Sequence, residues 1–255
     1  MKQLFVKIIR TLKNEGVRIT LIKSAKYILS FQRNRRYRLM LKHNNLADRF
    51  NKIYSENLWS SAESVSGTGS ELEYTLGLRK WLVEIIPARK IKKIIDAPCG
   101  DFNWMRFVVG ASHVNYIGID IVRNLIDKNQ KKYGNSHVRF LTGNICEDRL
   151  PNGDLLIIRD CLFHLSFQDI DKVLKNLSTV EYRYLLTTSH LIETDLVNID
   201  IISGDFRYIN LFQAPFNFDP NLVIDRVNDY PDGAHIKKEM VLLEKKNVPT
   251  KLSKL

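Results

Sequence analysis

Five short apolar runs recur after residue 90, with helical patterns between them. They are IKKIIDA (91–97), VNYIGID (114–120), HVRFLTG (137–143), DLLIIRD (154–160) and YRYLLTTS (182–189). Runs this short, apolar and bounded by polar turns suit strands buried on both faces. Trp104 to Val109, Val122 to Tyr133 and Phe167 to Leu177 read as helices, the last with Ile170, Val173, Leu174 and Leu177 on one face. Strand and helix in alternation predict a doubly wound α/β fold with a mostly parallel sheet. NLVIDRVND and EMVLLEKK flank a Pro-Asp-Gly turn signal and predict an antiparallel C-terminal hairpin at the sheet edge.

The formal net charge of +11 invites a nucleic-acid reading until it is located. Residues 1–53 hold 14 Lys and Arg against two acids, Glu15 and Asp48, whereas the remaining 202 residues hold 25 bases and 26 acids. The basicity therefore belongs to an N-terminal arm. Phe5, Ile8, Ile9 and Leu12 fall on one helical face, and Leu21, Ile22, Ala25, Ile28 and Leu29 on another, so 1–53 reads as a basic amphipathic helical arm. Residues 1–38 suit peripheral contact with an anionic membrane, such as the inner face, or packing on the main domain or a second subunit; nucleic acid ranks last. A helical lid segment (54–90) and the α/β domain (91–255) complete the expected organisation. No run approaches the roughly 18–20 apolar residues of a spanning helix, and MKQLFVKIIR has no signal-peptide form, so a cytoplasmic protein is expected. Cys99, Cys146 and Cys161 form no CxxC pair, and reduced thiols are expected.

Ligands of such sheets sit at the carboxyl ends of the strands. Asp96 ends the first run, Gly100 lies in the turn, and Asp120 ends the second, a layout that suits an adenosine ligand whose ribose hydroxyls the second acid accepts. A dinucleotide needs GxGxxG so that backbone can approach its pyrophosphate. APCGDFNW instead places Phe102 and Trp104 there, and Asp101 repels phosphate. S-adenosylmethionine carries no phosphate. Asp96 and Asp101 suit its ammonium and sulfonium, and a free N–H near Gly100 suits its carboxylate.

IIDAPCGDFNWM, YIGIDIV and RDCLFHL, with IYSENLWSSAESVSGTGSELEYT upstream and GDFRYINLFQAPF downstream, resemble the class I S-adenosylmethionine-dependent methyltransferases, in particular bacterial members associated with surface polysaccharides. The resemblance covers residues 54–245 and implies a Rossmann-like domain. It implies Asp96, Cys99 and Gly100 around the methionine moiety, Asp120 on the ribose and Ile121 against adenine. Asn144 and Ile145 would border the adenine, and Arg159 and Asp160 would close the site. Trp59 to Ser70, including Ser66, Gly67 and Gly69, resembles the family's N-terminal lid. Pro98 and Phe102 stand where the commonest loop of the family has its first and third glycines.

A hydroxyl acceptor gains from a base poised near neutral pH, which makes histidine the first candidate. His43 lies in the arm, His113 and His137 lead into strands at the opposite end of the sheet, and His235 lies in the hairpin turn. His164 remains, one helical turn beyond an Asp160 expected to orient it, with His190 at the end of the fifth strand in reserve. Cys161 and His164 have no second Cys/His pair, so no metal site is expected, although a divalent ion at the acidic strand ends stays open. The long stretch 191–220 carries Phe206, Tyr208, Phe212, Phe216 and Phe218 and reads as an ordered acceptor wall, with Arg207 and Asn210 as substrate contacts.

The resemblance implies methyl transfer to a hydroxyl or phosphoryl-type oxygen of a sugar or surface-glycan precursor. RNA or protein methylation is a second reading, and a membrane-surface protein with a vestigial adenosine site a third.

Overall fold

The computed structural model describes Tyr37, Leu41 and residues 45–192 and 196–253. The chain divides into two units, Met1–Asn44 and Asn45–Leu255. Apart from Tyr37, the arm segment 1–38, its expected helices and its membrane contact lie outside the described residues. Among the described residues no helix is long and apolar enough to cross a membrane.

The second unit begins with helix α1 (Leu46–Ser55), N-capped by Asn45, whose side chain accepts from the Asp48 N–H at 2.8 Å. Leu46 and Phe50 pack against the core, so α1 belongs to the folded unit although charge alone assigned it to the arm. The lid segment is helical only in part. Residues 56–67 form turns, a 3₁₀ turn covers Thr68–Ser70, and α2 spans Leu76–Ala88.

From there strands and helices alternate: β1 (Lys93–Asp96), α3 (Met105–Ser112), β2 (Asn115–Asp120), α4 (Arg123–Tyr133), β3 (Val138–Thr142), β4 (Leu155–Ile158), α5 (Phe167–Ser178) and β5 (Tyr184–His190). β6 (Val223–Asn228) and β7 (Lys238–Glu244) form the antiparallel hairpin, and the sheet order is β3-β2-β1-β4-β5-β7-β6. β1 to β5 pair in parallel, and β7 runs antiparallel between β5 and the edge strand β6.

Successive strand residues point to opposite faces, and each face has its own core. Ile95, Leu156, Ile158 and Leu185 pack with Ile170, Val173 and Leu174 of α5. Ile94, Leu155, Ile157 and Leu186 pack with Leu78 and Leu82 of α2 and Met105 and Val108 of α3. The chain order reverses between β1 and β4, and such a switch point opens a crevice beyond the strands' carboxyl ends.

Candidate active site

A cavity of about 550 Å³ occupies this crevice. Twelve positions singled out for the cofactor line it: Trp59, Ser66, Gly67, Gly69, Asp96, Cys99, Gly100, Asp120, Ile121, Asn144, Ile145 and Arg159. Asp160, His164 and His190 line it too, whereas Arg207 and Asn210 do not.

At the β1–β2 end, Asp96 is buried and accepts a 2.7 Å hydrogen bond from the Tyr116 hydroxyl. Burial pushes its carboxyl up to about 7, against the opposing effects of that bond and of Arg159. Asp120 is likewise buried and pushed up to about 6, although it accepts from the N–H groups of Val122 at 3.0 Å and Gly100 at 3.1 Å. This corrects one expectation: the Gly100 N–H is not free for a ligand carboxylate, because Asp120 uses it to close the turn. Asn144 is also engaged locally, its side-chain oxygen accepting from the Cys146 N–H at 3.0 Å.

Asp101 does not face the cavity as a partner for ligand cations. Its carboxylate accepts from the Ser64 hydroxyl at 2.9 Å, the Val65 N–H at 3.1 Å and the Ser66 hydroxyl at 3.4 Å. It thus anchors the strap formed by Trp59 to Ser70. The Asp101 N–H in turn donates to Ser66 Oγ at 3.0 Å. A β-carbon on Gly100 would lie 2.3 Å from that Oγ, and φ there is +55°, so this glycine admits the strap as well as the turn.

The other half of the cavity rests on buried charges. The Arg159 guanidinium forks onto Asp229 at 2.9 and 3.0 Å, meets Asp160 at 3.2 Å and donates to the Gly69 carbonyl at 2.6 Å. Lys238 pairs with Asp160 and, at 3.1 Å, with Asp229. Burial opposes charge on Asp160, but Arg159 and Lys238 prevail and hold its carboxyl below the usual range. Asp160 has φ +51°, a left-handed conformation uncommon for aspartate, and its N–H donates to Thr188 Oγ1 at 2.9 Å. Tyr74 stands beside this network, with Lys238 Nζ 5.0 Å from its ring centroid. Burial and the two aspartates push its hydroxyl up to about 12.

His164 closes the 3₁₀ turn Leu162–His164. The turn breaks the helical spacing that was to bring Asp160 to the imidazole. Its Nδ1 instead lies 2.8 Å from the Asp205 carbonyl, which can only accept, so Nδ1 carries the proton and Nε2 keeps its lone pair. Burial lowers its pKa below the ordinary histidine value. Trp59 stacks on the ring at 5.4 Å. His190, the last residue of β5, accepts the Ile209 N–H at Nδ1 (3.2 Å), and burial lowers it to about 4.

Residues 204–206 pack across this end. Gly204 donates its N–H to the His164 carbonyl at 2.7 Å, and Phe206 packs edge-on to Phe163 at 5.4 Å. Arg207 turns into the core. It donates to the Leu165 carbonyl at 2.6 Å, lies 4.9 Å from the Phe167 ring centroid and leaves Nε and Nη2 without a partner. Asn210 is tied to Asn198, whose side chain bonds the Asn210 N–H and carbonyl at 2.9 Å each. Neither residue lines the cavity. Sequence reasoning missed Tyr74, although it lies in the upstream segment that carries the resemblance, and Asp229 and Lys238; an acid and a lysine flanking a hairpin turn ordinarily face solvent.

The sequence matches no protein-family model and no curated protein. Solved structures match the fold. The 1,6-didemethyltoxoflavin-N1-methyltransferase of Burkholderia thailandensis, with bound 1,6-didemethyltoxoflavin and S-adenosylhomocysteine, aligns at TM-score 0.55 and 12% identity over 78% of this chain and 86% of that one. The magnesium protoporphyrin IX methyltransferase of Synechocystis PCC 6803, with bound SAM, aligns at 0.50 and 13% identity over 77% and 89%. For the mitomycin 7-O-methyltransferase MmcR the values are 0.49 and 13%, over 65% of this chain and 53% of that one, so the chain spans about half its length. The α/β domain has the fold of S-adenosylmethionine-dependent methyltransferases.

Proposed function

We propose that this protein is an enzyme that transfers a methyl group from S-adenosylmethionine to a hydroxyl of a sugar or surface-glycan precursor. The observation that carries the reading is one cavity joining two acid-ended strands to a histidine with a free Nε2. The cofactor supplies, when bound, a methyl group already activated on a sulfonium. Asp96 and Asp120 would hold its cationic and ribose ends, with Ile121, Asn144 and Ile145 beside the adenine. The residues fit this molecule better than a dinucleotide, because buried carboxylates at the turn oppose phosphate and favour cations. His164 Nε2 takes the acceptor proton, and the Asp205 carbonyl holds the ring in the tautomer that this requires. Trp59 of the strap and Phe206 pack against the His164 ring. The glycan assignment rests on the motif resemblance, and peripheral membrane contact through residues 1–38 on the charge of the arm.

Calorimetry with S-adenosylmethionine tests the reading. The wild type is expected to bind, and Asp120→Ala to lose about 1.5–3 kcal/mol, the size of a hydrogen bond to a charged group. Unchanged affinity in the variant removes Asp120 from the site, and no binding by the wild type removes the function.

A further inference from the structure

We propose, resting on the methyl-transfer reading above, that the part of the acceptor entering the cavity is an uncharged ring bearing a free hydroxyl, and that phosphorylated or nucleotide-linked sugars do not place their phosphate there. Two independent features of the acceptor half carry this.

The first is charge. Arg159 and Lys238 are the only Arg or Lys side chains lining the cavity among the described residues. Both are spent. Arg159 is committed to Asp229, Asp160 and the Gly69 carbonyl, and Lys238 to Asp160 and Asp229. Two cations and two anions cancel, and three of the four are almost wholly buried: Arg159 at 4%, Lys238 at 5% and Asp229 at 0% side-chain exposure. Asp160, at 21%, is the member most open to the cavity, so the accessible charge is negative. An entering phosphate meets that carboxylate first and could win a cation only by stranding a buried aspartate. His164 and His190 supply no substitute, since burial keeps both imidazoles neutral, and the third histidine of the lining, His235, is exposed on the β6–β7 turn. An anion-binding site is built the opposite way, with uncommitted Arg or Lys forks aimed inward.

The second is shape. Trp59, Phe163, Leu165, Phe206 and Ile236 line this end, with the Tyr74 ring beside them. Flat rings suit the C–H face of a sugar or another planar ring, and sparse neutral polar groups suit its hydroxyls. The Tyr74 hydroxyl, the Thr68 and Ser70 hydroxyls and His164 Nε2 supply such groups without net charge. A neutral hydroxyl ring satisfies both features, whereas a sugar phosphate satisfies only the second.

The test compares phenyl β-D-glucopyranoside with its 6-phosphate on the full-length protein, followed by tryptophan fluorescence with and without saturating S-adenosylhomocysteine. Trp59→Phe identifies the signal from this end of the cavity. The neutral glycoside is expected to bind at least about tenfold more tightly than the phosphate, and Asp160→Asn to narrow or reverse that ratio by freeing Lys238. Equal or tighter binding of the phosphate by the wild type overturns the proposal, as does the absence of any Trp59-dependent response to the neutral glycoside. Should Asp160→Asn fail to fold, the wild-type ratio decides alone. Failure of S-adenosylhomocysteine to bind in calorimetry counts against the methyl-transfer reading, while the ratio in the free protein still reads the charge preference of the cavity.

Discussion

Buried Asp96 and half-buried Asp160 lie at the carboxyl ends of neighbouring parallel strands, yet their carboxyls move in opposite directions. Asp96 has a tyrosine hydroxyl as its partner, and burial raises it to about 7. Asp160 has Arg159 and Lys238 against it, and they drive it below the usual range. Position on the fold does not settle the charge of a strand-end acid; its partners do. The cofactor half of the cavity is therefore left able to take up a cation, whereas the acceptor half arrives already neutralised.

The contrast breaks most sharply at His164. His164→Ala is expected to lower turnover by about 10²–10⁴-fold, the range of a general base, with cofactor affinity nearly unchanged. Steady-state kinetics beside calorimetry checks this, and an equal loss confined to His190→Ala moves the role there. Next in size is the neutralised network itself. Asp229→Ala strands Arg159 and Lys238 and is expected to cost about 3–5 kcal/mol, read from denaturant midpoints. A loss of a few tenths would mean that Asp160 suffices for both cations.

A smaller effect sharpens the cofactor half. A bound cation favours ionised Asp96 and ribose hydroxyls donate to ionised Asp120; burial pushes these carboxyls up to about 7 and about 6, so binding releases protons and tightens as pH rises. Affinity for S-adenosylmethionine is expected to increase about tenfold or more between pH 5.5 and 7.5, and Asp96→Asn to flatten the dependence. A flat wild-type profile would show that neither acid ionises to hold the ligand. The smallest effect concerns the arm: removing residues 1–38 should leave cofactor affinity within about twofold and weaken attachment to anionic vesicles, because the excess charge lies there. Equal vesicle binding with and without the arm sets the membrane role aside.

Cofactor-side residues were legible because they are local. Asp96, Gly100 and Asp120 each follow directly from where an apolar run stops, and a parallel sheet brings run ends together. The acceptor side was legible only in outline. Of the aromatics expected to form the acceptor wall, Phe206 alone lines the cavity among the described residues, while Phe216 and Phe218 fill the core, and the polar residues chosen with them, Arg207 and Asn210, turned into the core and into a loop bond. Asp160 was placed at the site with the wrong partner, because a 3₁₀ turn replaced the helical spacing assumed between it and His164.

By itself the sequence determined the alternating architecture, the parallel sheet with its C-terminal hairpin and the acids at the strand ends, because burial periodicity and turn chemistry act over a few residues. Tertiary structure alone decided which charges meet. Asp229 and Lys238 flank the β6–β7 hairpin, and only the insertion of β7 beside β5 carries them to Arg159 and Asp160 at the end of β4. Coulombic pairing depends on distance in space, and separation along the chain carries no trace of it.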